Sequence, residues 1–295
     1  MLNNAAKPVL DFAFNIESES DKNEFCSLIA YYNRVLLYVK VIQFTSVQAI
    51  IDVVGNEKKI HVIDLGIRSG SHWTVLMEYL AHRSVSSSLP TLELLRITAV
   101  GMNAEELRKT GKRLHDLAKS YAIPLSYNMV EIASIEEIKE GLFTVKSGEE
   151  LAVYAPVVLR KAQHNSPSFA NRFSEVLSHY MAYFDLLDVT LPDRIDLKRV
   201  KLEEIITASH IRNIIVYEGK ERSVRHVRTD EWRCLFRKAG FREKGFSFQA
   251  MYQARLLLRE HASGEYYTLE ADGHAMIVKW KGTPLFAISA WDGIK

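Results

Sequence analysis

One segment of this chain limits its possible folds more than any other: a short hydrophobic strand that runs into a glycine-containing turn. Residues 59–65 are Lys-Ile-His-Val-Ile-Asp-Leu, and the turn after them holds Gly66 and Gly70 before a helix predicted over residues 73–82. Glycine allows the backbone to approach a ligand at the N-terminus of a helix, and nucleotide cofactors bind at such turns in open α/β sheets. The segment therefore predicts an α/β sheet and makes Asp64, Gly66 and Gly70 candidate cofactor-binding residues.

Strands and helices alternate along the rest of the chain, which predicts a mainly parallel sheet flanked by helices on both faces. The predicted strands cover residues 59–65, 92–100, 125–132, 151–154, 211–217, 266–270 and 275–280, with a final strand that ends at Trp291. The predicted helices cover residues 24–54 in two stretches, 73–82, 104–121, 134–141, 169–187, 232–239 and 251–260. An Asp-Gly pair at residues 272–273 predicts a C-terminal antiparallel hairpin. The expected fold class is α/β, with a Rossmann-like sheet.

Three features of the sequence argue against a working cofactor site at the turn. The residues between its two glycines are Ile-Arg-Ser, whose side chains crowd the position of a ligand. The second predicted strand is followed by Gly-Met-Asn at residues 101–103, without the acidic residue that would hold ribose hydroxyls. No group of Asp, His, Tyr or Lys is recognisable as the base for methyl transfer. We therefore predict a structural turn capped by Asp64; the open alternative is an S-adenosylmethionine-dependent small-molecule methyltransferase that uses Asp64, Gly66 and Gly70.

The composition is that of an intracellular globular protein and excludes several classes of function. The chain has 295 residues, a formal net charge of +2 and two cysteines, Cys26 and Cys234, which are too few and too far apart for a disulfide framework. Its mild charge does not by itself indicate nucleic acid binding, and its apolar runs are too short and too broken by charge for a membrane span. Because His61, His72 and His82 share no helix face with carboxylates, we predict no metal site.

The strand before the turn also resembles a known motif, the V-H-I-I-D sequence of GRAS proteins, with Ile60, His61, Val62, Ile63 and Asp64. Residues 43–50 and 94–101 resemble the helix before that motif and the strand after it, and residues 213–219 resemble a later segment. Further positions match the P-F-Y-R-E and S-A-W blocks: Arg172, Phe173, Tyr180, Arg199 with Glu203 or Glu204, Trp232, Ser289, Ala290 and Trp291. From about Phe25 onward the chain is identified as a member of the GRAS family, with a core closest to SCARECROW-like or DELLA-like members.

This resemblance implies a plant transcriptional regulator that acts in the nucleus through protein partners, either transcription factors or other GRAS proteins. It also implies a methyltransferase-like fold without catalytic residues and without a cofactor. A local basic patch is a candidate surface for DNA or an acidic partner, with DNA contact expected to be indirect; it comprises Arg222, Arg225, Arg228, Arg233, Arg237 and Lys238. Neighbouring acidic residues leave open the alternative that this is a solvated surface.

The chain departs from the family pattern in two places. The leading leucine-rich helical region is nearly absent, so we expect an irregular segment at residues 1–22 and a partial GRAS domain at residues 23–295, and homo- or hetero-dimerisation stays open. Residues 154–161 also run directly into Ala162, where GRAS proteins have a further helix and strand. At typical element sizes about thirty residues or more are missing, and we infer either a splice or gene-model deletion at the Lys161–Ala162 junction or a diverged paralogue.

Loss of a central parallel strand would leave backbone groups unpaired and a gap in the core. The purified chain is therefore expected to unfold at a low denaturant concentration or to aggregate. A sharp unfolding transition with a high midpoint, followed by circular dichroism, would contradict this expectation.

Overall fold

The computed structural model of this chain describes residues 28, 31, 35–83, 90–133, 137–156, 169–217 and 227–293. These residues fall into two compact units. The sheet unit comprises residues 43–159 and 247–251, and the mixed unit comprises residues 1–42, 160–246 and 252–295. The predicted irregular segment at residues 1–22 and the Lys161–Ala162 junction lie outside the described residues.

The sheet unit is built on four parallel strands: β1 (Lys59–Asp64), β2 (Leu94–Gly101), β3 (Leu125–Glu131) and β4 (Glu150–Tyr154). They lie in the order β3-β2-β1-β4. At the middle of the sheet, Val62 of β1 lies opposite Ile97 of β2 on one side and Ala152 of β4 on the other. This arrangement confirms the predicted Rossmann-like parallel sheet.

Three helices pack on one face of this sheet: α1 (Leu37–Val54, from residue 43 onward in this unit), α2 (Trp73–Arg83) and α3 (Ala104–Ser120). Alternate residues of β1 and β2 face them and form the core with them, including Ile60, Val62, Leu95 and Ile97. Helices that connect neighbouring parallel strands lie on one face of the sheet because the crossovers are right-handed. The core of the sheet unit therefore lies between β1, β2 and these helices.

Helix α1 is more apolar than the sequence analysis expected. By length and composition its 18 residues are sufficient to cross a membrane, since Lys40 and Asp52 are its charged residues. However, Val47, Ile51 and Val54 are buried in the core of the sheet unit. A helix that packs one face into a protein core satisfies the same length and composition criteria.

The opposite face of the sheet carries a smaller apolar cluster of Ile63, Val100 and Ile132, with Ile138 and Phe143 packed against it. The last two residues come from the connection between β3 and β4. In the described part of that connection the regular structure is a 3₁₀ turn, Glu140–Leu142, rather than the helix predicted over residues 134–141. A helix of two turns is marginal unless packing stabilises it.

The mixed unit contains helices and two small antiparallel sheets. Its helices are α4 (Phe169–Thr190), α5 (Leu197–Leu202), α6 (Ser209–Val216), α7 (Thr229–Lys238) and α8 (Phe248–Arg259, from residue 252 onward in this unit), with a π-helical stretch at Glu203–Ala208. The strands are β5 (Phe241–Lys244), β6 (Tyr267–Asp272), β7 (Ala275–Trp280), β8 (Thr283–Ile288) and β9 (Ala290–Gly293). The predicted hairpin is confirmed as β6–β7; β8 extends it, and β9 pairs with β5.

Polar contacts hold the three-stranded β6–β7–β8 sheet against α4. The indole N–H of Trp280 donates to Asp185 Oδ2 at 2.6 Å, and Lys281 Nζ lies 2.7 Å from the same oxygen. The bonds from Lys281 and Trp280 hold the pKa of Asp185 below its usual value. Tyr38, near the start of α1, stacks on Phe286 of β8 with ring centroids 4.4 Å apart. The three-stranded sheet is therefore held by polar contacts to α4 and by an aromatic contact to Tyr38.

The prediction of a strand over residues 211–217 is wrong, because these residues continue the helical segment that ends in α6. A short apolar run fits a buried strand or a buried helix equally well. Here His210, Asn213 and Ile214 are buried while Arg212 and Val216 are exposed. Burial that recurs every three to four residues is the helical pattern, and it decides between the two alternatives.

Candidate functional site

The turn after β1 is held by the buried carboxylate of Asp64. Its Oδ1 accepts the backbone N–H of Gly66 at 3.0 Å, and its Oδ2 accepts Trp73 Nε1–H at 2.8 Å and His72 Nε2–H at 3.0 Å. Three donors therefore converge on one carboxylate that is completely buried. The predicted capping role of Asp64 is confirmed, and α2 supplies a partner that the sequence analysis did not identify, the Trp73 indole.

The rest of the turn is packed against α3. Ile67 is buried in the core of the sheet unit, so its side chain points into the protein. Thr110 Oγ1–H donates to the backbone oxygen of Arg68 at 2.7 Å, and the Arg113 guanidinium donates to the backbone oxygen of Ser69. The backbone oxygens of the turn are thus bound by α3.

Gly70 is required by this packing. Its φ is +61°, and a Cβ at this position would lie 2.9 Å from Thr110 Cγ2 and 3.3 Å from Leu114 Cδ1. Glycine is needed here both for the positive φ and for the close approach of the backbone to α3, and neither involves a ligand. The glycine signal in the sequence is therefore accounted for by contacts between the turn and α3.

We expect Gly70→Ala to lower the free energy of unfolding by about 2–4 kcal/mol, because backbone strain and overpacking act together. Gly148→Ala is the matched control: its φ is +81° but nothing lies within 4 Å of the added Cβ. It should cost roughly 1–2 kcal/mol from the positive φ alone. Urea titrations of both variants check this, and equal losses would contradict the packing role of Gly70.

The loop after β2 caps the N-terminus of α3. The Asn103 side-chain oxygen accepts the backbone N–H of Glu106 at 3.0 Å, which satisfies a free donor of the first helical turn. The backbone oxygen of Gly101 accepts the N–H of Ile132 at 3.0 Å. The position at which an acidic residue would hold ribose hydroxyls is therefore a helix cap.

Tyr154, the last residue of β4, lies beside the Asp64 carboxylate cluster. Its ring is 5.0 Å from that of His72 and 5.5 Å from that of Trp73. The buried hydroxyl of Tyr154 has no hydrogen-bond partner among the described residues, and burial raises the pKa of this group well above its usual value. A carboxylate that orients an imidazole is also how general bases are built, so this cluster is the feature on which a catalytic interpretation depends.

A second buried polar network lies on the opposite face of the sheet, and the sequence analysis missed it. Arg96 of β2 binds both oxygens of Glu149, with Nη2 2.8 Å from Oε1 and Nε 3.2 Å from Oε2. His61 of β1 contacts Thr98 Oγ1 through Nε2 at 2.8 Å, and its Nδ1 lies 3.5 Å from Glu149 Oε2. The available signal was the placement of a histidine and an arginine within otherwise hydrophobic strands.

The pKa values in this network make stability depend on pH. Burial lowers the pKa of His61 below 6.5, and the bond from Arg96 lowers the pKa of Glu149 below 4.5. In both cases the unfolded chain binds more protons in the window between the folded and the unfolded pKa, so stability falls as the pH falls. The histidine contribution is lost below about pH 6.5 and the glutamate contribution below about pH 4.5.

We expect His61→Gln to reduce the slope of stability against pH between pH 7 and pH 5, by at most about 1.4 kcal/mol per pH unit for one proton. His261, whose pKa is also lowered by burial, acts in the same window, so His261→Gln serves as the comparison. Denaturant titrations at several pH values measure both slopes. An unchanged slope in His61→Gln would contradict the neutral, buried state of this histidine.

The other predicted motif residues occupy structural positions in the mixed unit. Arg199 is buried; its Nε–H donates to Glu203 Oε1 at 2.9 Å, and its guanidinium also binds Asp188 at the end of α4. Glu203, rather than Glu204, is thus the acidic partner in the structure. Tyr180 is buried on α4; Arg172 and Phe173 lie on the same helix, and their side chains are outside the described residues.

The S-A-W residues close the small β5–β9 sheet. Trp291 stacks on Phe236 of α7 with centroids 4.7 Å apart, and Phe236 also contacts Trp232 at 6.0 Å. The Trp291 indole N–H donates to Ser289 Oγ at 2.9 Å, and Ala290 pairs with Lys244 in β5. These aromatic contacts hold α7 against the sheet.

The predicted basic patch does not form one open surface. Arg233 donates to Glu243 at 2.9 Å and to Asp272 at 3.2 Å, because its forked guanidinium binds two carboxylates. Arg228 lies 3.5 Å from Asp230, whereas Arg237 and Lys238 are exposed at the end of α7. Arg222 and Arg225 lie outside the described residues.

Within the residues that the structure describes, no group of three or more His, Cys, Asp or Glu side chains is placed to hold a metal ion. Cys234 is an exposed free thiol, and Cys26 lies outside that part of the chain. His72 and Asp64 form a pair, but a stable metal site needs a third ligand.

Comparisons with known proteins identify the family. The GRAS domain family pattern matches residues 2–163 and 156–292. Scarecrow-like protein 18 of Arabidopsis thaliana is 30% identical over 320 aligned residues, which cover 95% of this chain and 71% of that protein. DELLA protein GAI1 of Vitis vinifera is 28% identical over 287 residues, covering 86% of this chain and 48% of that protein.

The fold agrees with a solved structure. The crystal structure of SCL7 from Oryza sativa has a TM-score of 0.81 to this chain at 26% sequence identity, covering 96% of this chain and 88% of that one. The chain spans about half of DELLA protein GAI1 and 71% of Scarecrow-like protein 18. The family pattern, these relatives and the shared fold all lead to one assignment: the chain belongs to the GRAS domain family.

Proposed function

We propose that this chain is a non-enzymatic plant regulator of transcription that acts in the nucleus through protein partners. Its family membership and its similarity to Scarecrow-like and DELLA proteins support this proposal. The partners are transcription factors or other GRAS proteins, and contact with DNA is indirect. The SCARECROW-like and DELLA-like resemblance of the core agrees with a scaffold for transcription complexes.

The burial and the hydrogen bonds of the Asp64 carboxylate support the non-enzymatic part of the proposal. A cofactor-binding acid needs a carboxylate oxygen that the ligand can reach, but Asp64 is completely buried and its oxygens accept bonds from Gly66, His72 and Trp73. A phosphate or a carboxylate would bind to backbone N–H groups of the turn, but those of Ile67 and Gly70 donate to the backbone oxygens of Val100 at 3.3 Å and of Ile67 at 2.7 Å. The scaffold therefore keeps the shape of a cofactor site while its polar groups serve the fold.

The internal deletion is part of the proposal. The two ranges that match the family pattern meet and overlap at residues 156–163, which supports a break just after β4. The alignment with Scarecrow-like protein 18 runs over 320 residues, more than the 295 of this chain. Relatives therefore have residues without a counterpart here. Sequencing the transcript across the Lys161–Ala162 junction tests this: an uninterrupted exon sequence supports a diverged member, and a longer transcript points to a splice or gene-model deletion.

Arg237 and Lys238 are the part of the basic patch that we propose as a contact for an acidic partner. Both are exposed at the C-terminus of α7, where cations also interact favourably with the helix dipole. The double variant Arg237→Gln/Lys238→Gln should weaken partner binding without loss of fold. Asp230 and Glu231 in the first turn of α7 supply the matched control, Asp230→Asn/Glu231→Gln, which should not weaken binding.

A tethered reporter assay tests the function itself. The chain is fused to a heterologous DNA-binding domain in plant protoplasts, and transcription from a promoter with the matching sites is measured together with the location of a fluorescent fusion. We expect nuclear accumulation and a change in reporter output, both retained by Cys234→Ser and lost in Asp64→Ala, which disrupts the fold. A cytoplasmic protein without an effect on the reporter would contradict the proposal.

The alternative function is a small-molecule methyltransferase that uses S-adenosylmethionine. The observation that favours it is the polar cluster at the end of the parallel strands, where His72 is oriented by Asp64 and the Tyr154 hydroxyl is buried beside it. Ligands of open α/β sheets bind at this edge. Direct titration with S-adenosylmethionine distinguishes the two functions.

A further inference from the structure

The outer edge of β4 is an exposed strand edge with apolar side chains. Within the described residues β4 pairs with β1 alone and ends the sheet. Leu151 and Val153 lie on the same face as His61 and Ile63 of β1. Leu151 is 39% exposed and Val153 is 55% exposed. An exposed, apolar edge strand is a template for pairing with another chain.

The backbone groups that face outward can be identified. The backbone oxygen of Tyr154 accepts the N–H of Leu65 at 2.9 Å, so the polar groups of Tyr154 point toward β1. Because successive residues of a strand alternate in direction, Leu151 and Val153 direct their N–H and C=O groups away from the sheet. The same two residues thus supply the exposed side chains and the outward backbone groups.

β4 lacks the features that normally protect an edge. Its sequence, Glu-Leu-Ala-Val-Tyr, contains no proline or lysine, and its pairing with β1 has no bulge. The family pattern breaks at residues 156–163, directly after this strand. Relatives have residues without a counterpart in this chain, since the alignment with Scarecrow-like protein 18 runs over 320 residues against the 295 of this chain. The other edge strand, β3, lies next to no such break.

We propose that a second copy of this chain pairs with β4 in an antiparallel arrangement, with Ala152 opposite Ala152 of the second copy. In this register Leu151 lies opposite Val153 of the second copy, so apolar side chains meet on one face. The outward N–H and C=O groups of these two residues exchange hydrogen bonds, as residues of a hydrogen-bonded antiparallel pair do. The two Glu150 residues lie apart, each opposite Tyr154, so like charges do not oppose each other. The strand is therefore self-complementary, as a two-fold symmetric interface requires.

Sedimentation velocity over a range of concentrations tests the pairing. The unaltered chain should show a monomer–dimer equilibrium. Val153→Pro removes an outward N–H without removing a bond to β1, and it should weaken dimerisation about tenfold or more, since a donor is lost from each copy. Val153→Lys retains the N–H but places a charge on the edge, and it should also weaken the dimer. Circular dichroism confirms that each variant retains the fold.

Met129→Pro is the matched control on β3, where Met129 is 46% exposed. It should leave the dimer unchanged. A chain that stays monomeric at all concentrations, or a dimer that is weakened by Met129→Pro and not by the Val153 variants, would overturn the proposal.

Disulfide cross-linking tests the register. In a Cys26→Ser/Cys234→Ser background, Leu151→Cys and Val153→Cys chains with different tags are mixed and oxidised. The proposed register places these two positions opposite each other, with Cα atoms about 5.5 Å apart, within reach of a disulfide. The mixed dimer should therefore cross-link efficiently, whereas Val153→Cys mixed with Met129→Cys should not. Equal cross-linking in both mixtures would reject this register.

Discussion

Asp64→Ala is expected to lower the free energy of unfolding by about 3–5 kcal/mol, one of the two largest effects expected for a single substitution in this chain. The substitution leaves three donors without an acceptor, the backbone N–H of Gly66, the indole N–H of Trp73 and the ring N–H of His72. Each buried donor without a partner costs roughly 1–3 kcal/mol. Because domains are stable by about 5–15 kcal/mol, the variant should show a much lower urea midpoint or lose its cooperative transition.

Two controls separate the hydrogen bonds from other effects of the substitution. Asp64→Asn retains one acceptor oxygen and the shape of the side chain, so it should lose less than Asp64→Ala. Asp116→Ala removes an exposed acid from α3 and should change stability by less than about 0.5 kcal/mol. If Asp64→Ala behaved like Asp116→Ala, the Asp64 carboxylate would not hold the turn.

Arg96→Met is expected to cost about 3–5 kcal/mol, because it leaves the Glu149 carboxylate buried without its cation. The Glu149 side chain is 3% exposed and that of Arg96 is 10% exposed. The double variant Arg96→Met/Glu149→Met removes both charges and should lose less than the single variant, since no buried charge is left unpaired. Urea titrations of the two single variants and the double variant complete the cycle.

An exposed ion pair serves as the comparison for this network. Arg108 and Glu105 form an i,i+3 pair on α3 with side chains 57% and 50% exposed. Arg108→Met should therefore cost less than about 1 kcal/mol. A double variant of Arg96 and Glu149 that was as unstable as the sum of its single variants would contradict the account, because the two groups would then act independently.

The sequence predicted the parallel sheet and the turn because their signals are local. A buried strand, an acid at its end and glycines before a helix occupy consecutive positions, and the acid caps a backbone N–H two residues away. The side-chain partners of Asp64 were harder to predict, since Trp73 at the start of α2 and His72 just before it reach the carboxylate only when the helix has its observed orientation. Glu149 lies 53 residues from Arg96, and no local pattern joins them.

Residues 211–217 show the opposite case, in which a local signal is ambiguous. Their apolar run fits a strand and a helix, and tertiary packing selects the helix by burying His210, Asn213 and Ile214. The basic patch was also predicted from composition alone. Arg233 belongs to it by sequence, but in the folded chain this residue binds Glu243 of β5 and Asp272 of β6, which lie 10 and 39 residues further along the chain.

Isothermal titration calorimetry with S-adenosylmethionine tests the central claim most directly, namely that the turn at Asp64 is a structural scaffold in a non-enzymatic regulator. Since the oxygens of Asp64 are occupied by Gly66, His72 and Trp73, we predict heats of dilution alone, without saturation. Saturable binding with one site per chain, retained in Cys234→Ser and abolished in a folded Asp64→Asn variant, would contradict the claim and establish a cofactor site at this turn.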